Sequence, residues 1–457
     1  MANIDLLIYN ARIVNEGVTI PKGYLTVSGE FISGIGEGEP APEILAGARE
    51  KIDAEGKYLL PGVIDTHVHF RDPGLTHKGD MHSESTAAIA GGVTSFIDMP
   101  NTKPPTISVA EVEAKLSHAA EVSLANYGFF IGATNSNLEE LRKADYSHIA
   151  GVKLFLGSST GNMLVDEPST IEKIFSEVPA LIAVHAEDEA TIAANRKKLR
   201  EALGEEIPID CHPVIRDHEA CYLATRRAVE LAKATGARLH VCHISTSDEL
   251  RLFTPGPAAD KRITAETCPQ YLVFTDEMYG ALGSRIKCNP AIKRPTDRDD
   301  LRFAVNHDII DTIATDHAPH MWEEKRGTAL TAASGMPGIE FSLPVMMQAV
   351  SEQWFSIETV VWKMCHNPAT IFNIDRRGFL REGYYADIVI FDPDCEPYTI
   401  KDENVKSLCG WTPYNGLQLS GRVDITILNG SPVYRYGTIF KARTHALRFN
   451  PPERMTE

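Results

Sequence analysis

The segment Leu59-Leu60-Pro61-Gly62-Val63-Ile64-Asp65-Thr66-His67-Val68 opens the part of the chain whose rhythm decides the fold. It is a nearly continuous apolar run rather than an alternating one, the pattern of a parallel strand covered on both faces. Comparable runs follow at residues 93–99, 125–131, 151–156, 180–185, 238–244, 262–267 and 309–314, with helical patterns between them. In the helix expected over 217–235, Ala220, Leu223, Ala224, Ala228, Leu231 and Ala232 fall on one stripe, and Gly236 supplies the stop. Eight buried strands alternating with helices predict an α/β fold, a (β/α)8 barrel.

Outside this region the rhythm differs. Residues 5–57 alternate short apolar segments with Gly and Pro turns, and strand patterns return at 385–391 and 424–428. The expectation is a small, β-sandwich-like domain built from both termini, residues 1–57 with 375–457, flanking a hydrolase-type barrel at 58–374. No internal repeat of 20–50 residues interrupts the pattern.

The 457 residues are 43% hydrophobic and 23% charged, an ordinary globular balance that sets aside disorder and coiled coil. With 45 Lys and Arg against 62 Asp and Glu, the formal charge of −17 would repel nucleic-acid phosphates and anionic lipid. The densest basic stretch, Arg196 to Arg200, is followed by Glu201, Glu205 and Glu206 and reads as a solvated helix face. Eight scattered cysteines with no C-x-x-C pair suit a reducing compartment. The N-terminus lacks a signal-peptide pattern, and no apolar stretch is long enough to span a bilayer. These features predict a cytoplasmic protein with a small-molecule partner, no nucleic acid and no membrane, and leave a homo-oligomer open.

Metal-ligating residue types gather where the strands should end, the side on which barrel enzymes carry their chemistry. His67 and His69, two residues apart on a strand, point to one face. His185 ends the fifth run, His243 lies in the sixth, and Asp316 and His317 follow the eighth. In Gly151-Val152-Lys153-Leu154-Phe155-Leu156 a lone lysine interrupts a buried run. An ammonium there must be paired, neutralised or chemically altered, and a neutral amine can take up CO2 to become an anionic carbamate.

The signature Asp65-Thr66-His67-Val68-His69-Phe70-Arg71-Asp72-Pro73-Gly74, with Met99-Pro100-Asn101-Thr102 and Ala314-Thr315-Asp316-His317-Ala318-Pro319-His320, resembles the cyclic amidohydrolases and, among them, the dihydroorotases. The likeness spans nearly the whole chain. Asp-x-His-x-His marks only the broad superfamily; Arg-Asp-Pro-Gly and Met-Pro-Asn-Thr favour dihydroorotases over hydantoinases, dihydropyrimidinases and allantoinases. Lys153 stands where many free-standing bacterial dihydroorotases have a bridging aspartate, and in this it resembles the carboxylated-lysine bridge of other dihydroorotases and of hydantoinases and allantoinases.

The resemblance implies two divalent metal ions, Zn2+ being the ion such donors suit. His67, His69 and Asp316 would hold one and His185 and His243 the other, with carboxylated Lys153 between them. It further implies a metal-bridging hydroxide that opens a cyclic amide, with Asp316 as general acid and base. Arg71, Asn101, Asn289 and His320 would bind an anionic substrate, together with backbone groups near Ser334 and Gly335. His317 would orient Asp316 or a ligand, and the remaining histidines, His212 among them, read as structural. A non-catalytic scaffold should have lost some of these ligands, and all six positions are filled.

Overall fold

The computed structural model describes residues 4–157 and 163–450. At its start β1 (Ile4–Asn15), β2 (Val18–Ser28) and β3 (Phe31–Glu37) form an antiparallel meander. Glu16 and Gly17, between the first two, both take positive φ (49° and 77°), which matches a two-residue turn to the twist of the strands. β4 (Ala48–Asp53) and β5 (Tyr58–Pro61) then run parallel to β1.

At Gly62 the chain passes from this sheet into a second one. A Cβ there would meet the Thr94 side chain at 2.1 Å, so only glycine fits the crossing. The apolar run at 59–68 is therefore two strands, β5 and β6 (Val63–Val68), that belong to different sheets.

The barrel continues through β7 (Val93–Asp98), β8 (Asn126–Phe129), β9 (Ile131–Gly132), β10 (Val152–Phe155), β11 (Leu181–His185), β12 (Arg238–Val241), β13 (Ile263–Thr267) and β14 (Thr312–Ile313). Neighbouring strands are parallel, in one ladder from β6 to β8 and another from β9 to β14. β8 and β9 are successive pieces of one barrel position, parted only by Phe130. The ring closes where the His69 N–H donates to the His317 carbonyl at 2.7 Å, beside a Val68–His317 bridge. Every residue of β6, β7, β8, β10 and β11 is buried, as strands covered on both faces require.

Side-chain caps set the starts of the outer helices. Asp80, Ser108, Asp188 and Asp217 each accept a backbone N–H from the first turn of the helix that follows. The helix His218–Thr235 stops at Gly236, which is left-handed at φ 73°.

β15 (Ile388–Asp392) returns to pair antiparallel with β5, and β16 (Tyr398–Thr399) and β17 (Gln418–Leu419) form a separate short ribbon. β18 (Arg422–Leu428), β19 (Ser431–Arg435) and β20 (Thr438–Ile439) complete a nine-stranded sheet in the order β20-β19-β18-β15-β5-β1-β2-β3, with β4 on β1. Its strands serve two cores by alternation. Leu59, Ile388, Ile390, Ile425 and Ile427 join Leu6, Ile8 and Leu25 in the sheet's own cluster, while Leu60, Val389, Phe391 and Leu428 face the barrel core. A (β/α)8 barrel with a small β domain is thus the architecture.

All eight cysteines are free thiols. Among the described residues no helix is long and apolar enough to cross a membrane.

Candidate active site

A cavity of about 320 Å³ opens at the C-terminal ends of the barrel strands. His67, His69, Arg71, Asn101, Lys153, His185, His243, Asn289, Asp316, His320, Ser334 and Gly335 line it, and Phe155, Ala318 and Ala333 supply apolar wall.

His67 and His69 leave β6 on the same side and converge on one carboxylate oxygen. Asp316 Oδ1 lies 3.3 Å from His67 Nε2 and 3.0 Å from His69 Nε2. The opposite ring nitrogens are occupied: His67 Nδ1 is 2.6 Å from Glu266 Oε1, and His69 Nδ1 is 2.7 Å from Asn101 Oδ1. With a proton on each Nδ1, both Nε2 lone pairs could join Asp316 Oδ1 in holding one cation, and without it a proton on His67 Nε2 takes that place. Burial alone would keep His67 neutral, but Asp316 and Glu266 outweigh it and raise that ring to about 10. Burial would likewise raise Asp316, yet His67 and His69 hold it below the usual carboxylate range.

Across the cavity His185 Nδ1 and His243 Nε2 face each other at 2.8 Å with their rings nearly perpendicular. His243 is held neutral, first by burial and then by His185 and His67. Glu187 Oε2 stands 3.0 Å behind His185 Nε2 and also pairs with Arg216. Lys153 is buried on β10, where Nζ meets Cys242 Sγ at 3.0 Å. Among the described residues it pairs with no carboxylate, so its amine is the costly buried group that the sequence suggests.

Three of these residues carry backbone strain. Arg71, His243 and Asp316 have φ of 64°, 43° and 50°, the left-handed region that costs a non-glycine residue on the order of 1–3 kcal/mol. Such conformations persist where surrounding structure imposes them, and here they turn side chains into one cavity.

Arg71 is 5% exposed, donates from Nε to the Pro319 carbonyl at 3.1 Å, and has its terminal Nη2 3.1 Å from His320 Nε2. Among the described residues no carboxylate pairs with it. His320 is kept neutral by burial and by Arg71 and Lys78 beside it. Its one ring proton serves either the Ser334 carbonyl, 3.2 Å from Nε2, or Glu324 Oε2, 3.5 Å from Nδ1. Asn289 Oδ1 is buried with no partner among the described residues, an orphan acceptor on the cavity wall.

Two expected positions make further contacts in the structure. Gly335 lines the cavity; its N–H donates to Lys287 O at 2.9 Å and its carbonyl accepts from Lys325 Nζ at 2.8 Å, which leaves that carbonyl one further lone pair. A Cβ at Gly335 would lie 2.8 Å from Ala318 O and 3.1 Å from the His320 ring, so closeness of packing is what its glycine serves. His317 does not orient Asp316. Its Nε2 meets Glu84 Oε2 at 2.8 Å and its Nδ1 receives the Gly338 N–H at 3.1 Å, which pins the last barrel strand to the following loop.

Sequence reasoning missed Glu266, Glu187 and Cys242. Glu266 offered the same signal as Lys153, a single charge inside a buried strand, Ile263-Thr264-Ala265-Glu266-Thr267. It also accepts from Thr66 at 3.2 Å and lies 3.3 Å from His240 Nε2, tying three strands under the histidines.

A sequence model of the amidohydrolase family matches residues 58–433. The chain is 34% identical to a dihydroorotase of Halobacterium salinarum over 85% of its own length and 89% of that protein. It is 30% identical to an allantoinase of Streptomyces avermitilis over 99% of its length and 100% of that protein. An L-hydantoinase (dihydropyrimidinase) from Arthrobacter aurescens superimposes with a TM-score of 0.90 at 27% identity, covering 97% of this chain and all of that one (100%).

Proposed function

The chain belongs to the amidohydrolase family, and from that premise we propose that it is a dihydroorotase, interconverting (S)-dihydroorotate and N-carbamoyl-L-aspartate in pyrimidine biosynthesis. The observation that carries the substrate is Arg71, a guanidinium almost wholly buried in the cavity wall without a carboxylate of its own. Dihydroorotate brings that carboxylate, placed away from the bond that opens. Hydantoin and allantoin bring none.

The donor set fits a pair of divalent ions, with Zn2+ the ion proposed: His67, His69 and Asp316 would hold one, His185 and His243 the other, and Lys153, as its carbamate, both. Such ions supply Lewis acidity and lower the pKa of water from about 15.7 towards 7. The chain's own residues do the rest. Arg71 and His320 fix the substrate carboxylate, while Asn289 Oδ1 and the amide nitrogen of Asn101 address the ring. Glu266 and Asn101 hold the tautomers of His67 and His69.

In ring opening, a water oxygen bonds to the amide carbonyl carbon and the carbon–nitrogen bond breaks. Asp316 takes one of the water's protons and delivers it to the leaving nitrogen, and the other passes to solvent as the new acid ionises, so the product gains a second carboxylate and a free carbamoyl NH2. Cyclisation runs the same transfers backwards, with loss of water. The hydrolase unit in this reading is the barrel expected at 58–374, which starts only after Gly62 because Tyr58–Pro61 belongs to the nine-stranded sheet; 1–57 and 375–457 supply the rest of the β unit, and the setting is the cytoplasm.

Allantoinase is the second reading, favoured by end-to-end similarity to the Streptomyces avermitilis protein and by a lysine at position 153. Steady-state turnover of dihydroorotate, hydantoin and allantoin by the metal-loaded enzyme decides between them. Dihydroorotate should be opened with the highest kcat/KM; no turnover of it beside brisk turnover of another ring would overturn the proposal.

A further inference from the structure

A second cavity, of about 240 Å³, lies behind the loop that carries Ser334, and Ser334 lines both cavities. Its lining includes Arg196 and Arg200 from the helix Glu189–Leu203, Arg216, and Lys287. No carboxylate lines it. In a chain of net charge −17 this is a local reversal of sign, assembled from three segments far apart in sequence. In the stretch read as a solvated face, Lys197 and Lys198 are exposed to water, and Arg196, half-buried, and Arg200, itself exposed, lie one turn apart and line the cavity.

The charges are only partly answered within the protein. Glu187 pairs with one nitrogen of Arg216 from behind. Glu205 meets Arg200 at 3.1 Å in an exposed pair, and Glu189 stands 3.9 Å from Arg196, contacts of little strength in water. Lys287 has a backbone oxygen, Ala332 O, and no carboxylate partner among the described residues. Burial, and then Arg216, lower it to about 8, a sign that its charge lacks a counter-ion.

His212 adds a second, independent mark. It is 3% exposed and lines the same cavity. Its Nε2 donates to Cys288 O at 2.9 Å, which leaves Nδ1 as a bare acceptor, buried and without a partner among the described residues. The ligand that completes this site therefore carries several anionic oxygens for the guanidinium groups and one O–H for His212. Monohydrogen phosphate has both; a carboxylate or a sulfate lacks the O–H.

We propose that this cavity is a phosphate-binding site that steadies the substrate loop from behind. Its walls lead directly to the first cavity. Lys287 O accepts the Gly335 N–H at 2.9 Å and Lys325 Nζ at 2.9 Å, and Cys288, whose carbonyl holds His212, precedes Asn289. Phosphate on Lys287, Arg216 and His212 thus fixes the segments that present Asn289, Ser334 and Gly335. Binding itself is independent of what the enzyme turns over; the effect on KM rests on the first cavity being the substrate site.

Calorimetric titration of the metal-loaded enzyme with inorganic phosphate, in a phosphate-free buffer, tests this. One saturable site per chain is expected, with sulfate bound more weakly and the Arg196→Gln/Arg200→Gln double variant weakened about tenfold or more. Both arginines are partly exposed, so the variant should keep the wild-type circular dichroism and its phosphate-free activity. A nucleoside monophosphate, whose phosphoryl dianion has no O–H, tells the two sources apart: weaker binding than the free ion is expected, and tighter binding would overturn the assignment to free phosphate. No saturable heat into the millimolar range, equal affinity of the double variant, or sulfate binding as well as phosphate would each overturn the site. Saturable binding with no change in the KM of any ring substrate would overturn the steadying role alone.

Discussion

Asn101 and His69 meet through Oδ1 and Nδ1 at 2.7 Å, and this contact is what turns the other face of the His69 ring towards Asp316. Asn101 follows β7 and His69 follows β6, so the orientation of the ring depends on two neighbouring strands keeping their register. An amide oxygen there accepts a hydrogen bond from Nδ1–H and leaves Nε2 free for a cation.

Asn101→Leu removes that acceptor while keeping most of the volume. Bound metal per chain and kcat/KM should both fall, about 10- to 100-fold, as for other partners that orient metal-ligating imidazoles. Full metal content by elemental analysis, with only KM raised, would instead make Asn101 a substrate contact alone.

Arg71→Met tests the substrate carboxylate. For dihydroorotate, kcat/KM should drop roughly 100- to 1000-fold through loss of a buried charge-assisted pair. For a neutral ring such as hydantoin the change should stay within about threefold. Equal losses on both substrates would remove Arg71 from recognition of charge.

Lys153→Ala should abolish activity and metal retention together. Added short carboxylic acids should restore part of both by lending the missing anion, measured as turnover and metal per chain against acid concentration. Full metal content and activity in the variant without any added acid would exclude the lysine as a ligand.

Glu340 predicts a pH dependence of stability. Burial, with Glu84 nearby, raises its carboxyl to about 7 against the opposing effect of the Lys406 N–H bond at 2.8 Å. Its folded form keeps a proton that the unfolded chain loses near 4.5, so its contribution is present below about 4.5 and is lost as pH rises through 7. Glu340→Gln should therefore be more stable than the parent at pH 8, by about 1–3 kcal/mol, with the difference vanishing near pH 4. Chemical denaturation of both proteins across that range measures it; a constant difference would contradict the assignment.

The barrel was legible because parallel strands buried on both faces leave unbroken apolar runs, and lone polar residues stand out against them. That is how Lys153, His185 and Asp316 could be picked out. The same contrast stands at Glu266, the one charge in Ile263–Thr267, but no neighbouring histidine in the sequence marks it as part of the site. The crossing at Gly62 was hidden, since Leu59 to Val68 looks like one strand and only the Thr94 side chain reveals why a glycine divides it. The cationic cavity was illegible for a different reason: Arg196, Arg216 and Lys287 come together only in three dimensions, and a charge count along the chain shows nothing but the acidic total.

The nine-stranded sheet also has a history in time. β5 ends at Pro61 and its partner β15 begins at Ile388, so the first strands leave the ribosome roughly 330 residues before the rest of their sheet exists. At about 5–20 residues per second that is an interval on the order of 20–70 s. Through it the apolar faces of Leu59 and Leu60 and the open edge of β5 have no native cover, and an unpaired strand edge invites pairing with other chains. The stage at which this protein is most exposed to aggregation is thus its own synthesis, and growing it slowly or with holding chaperones should matter more to its yield than the stability of the finished fold.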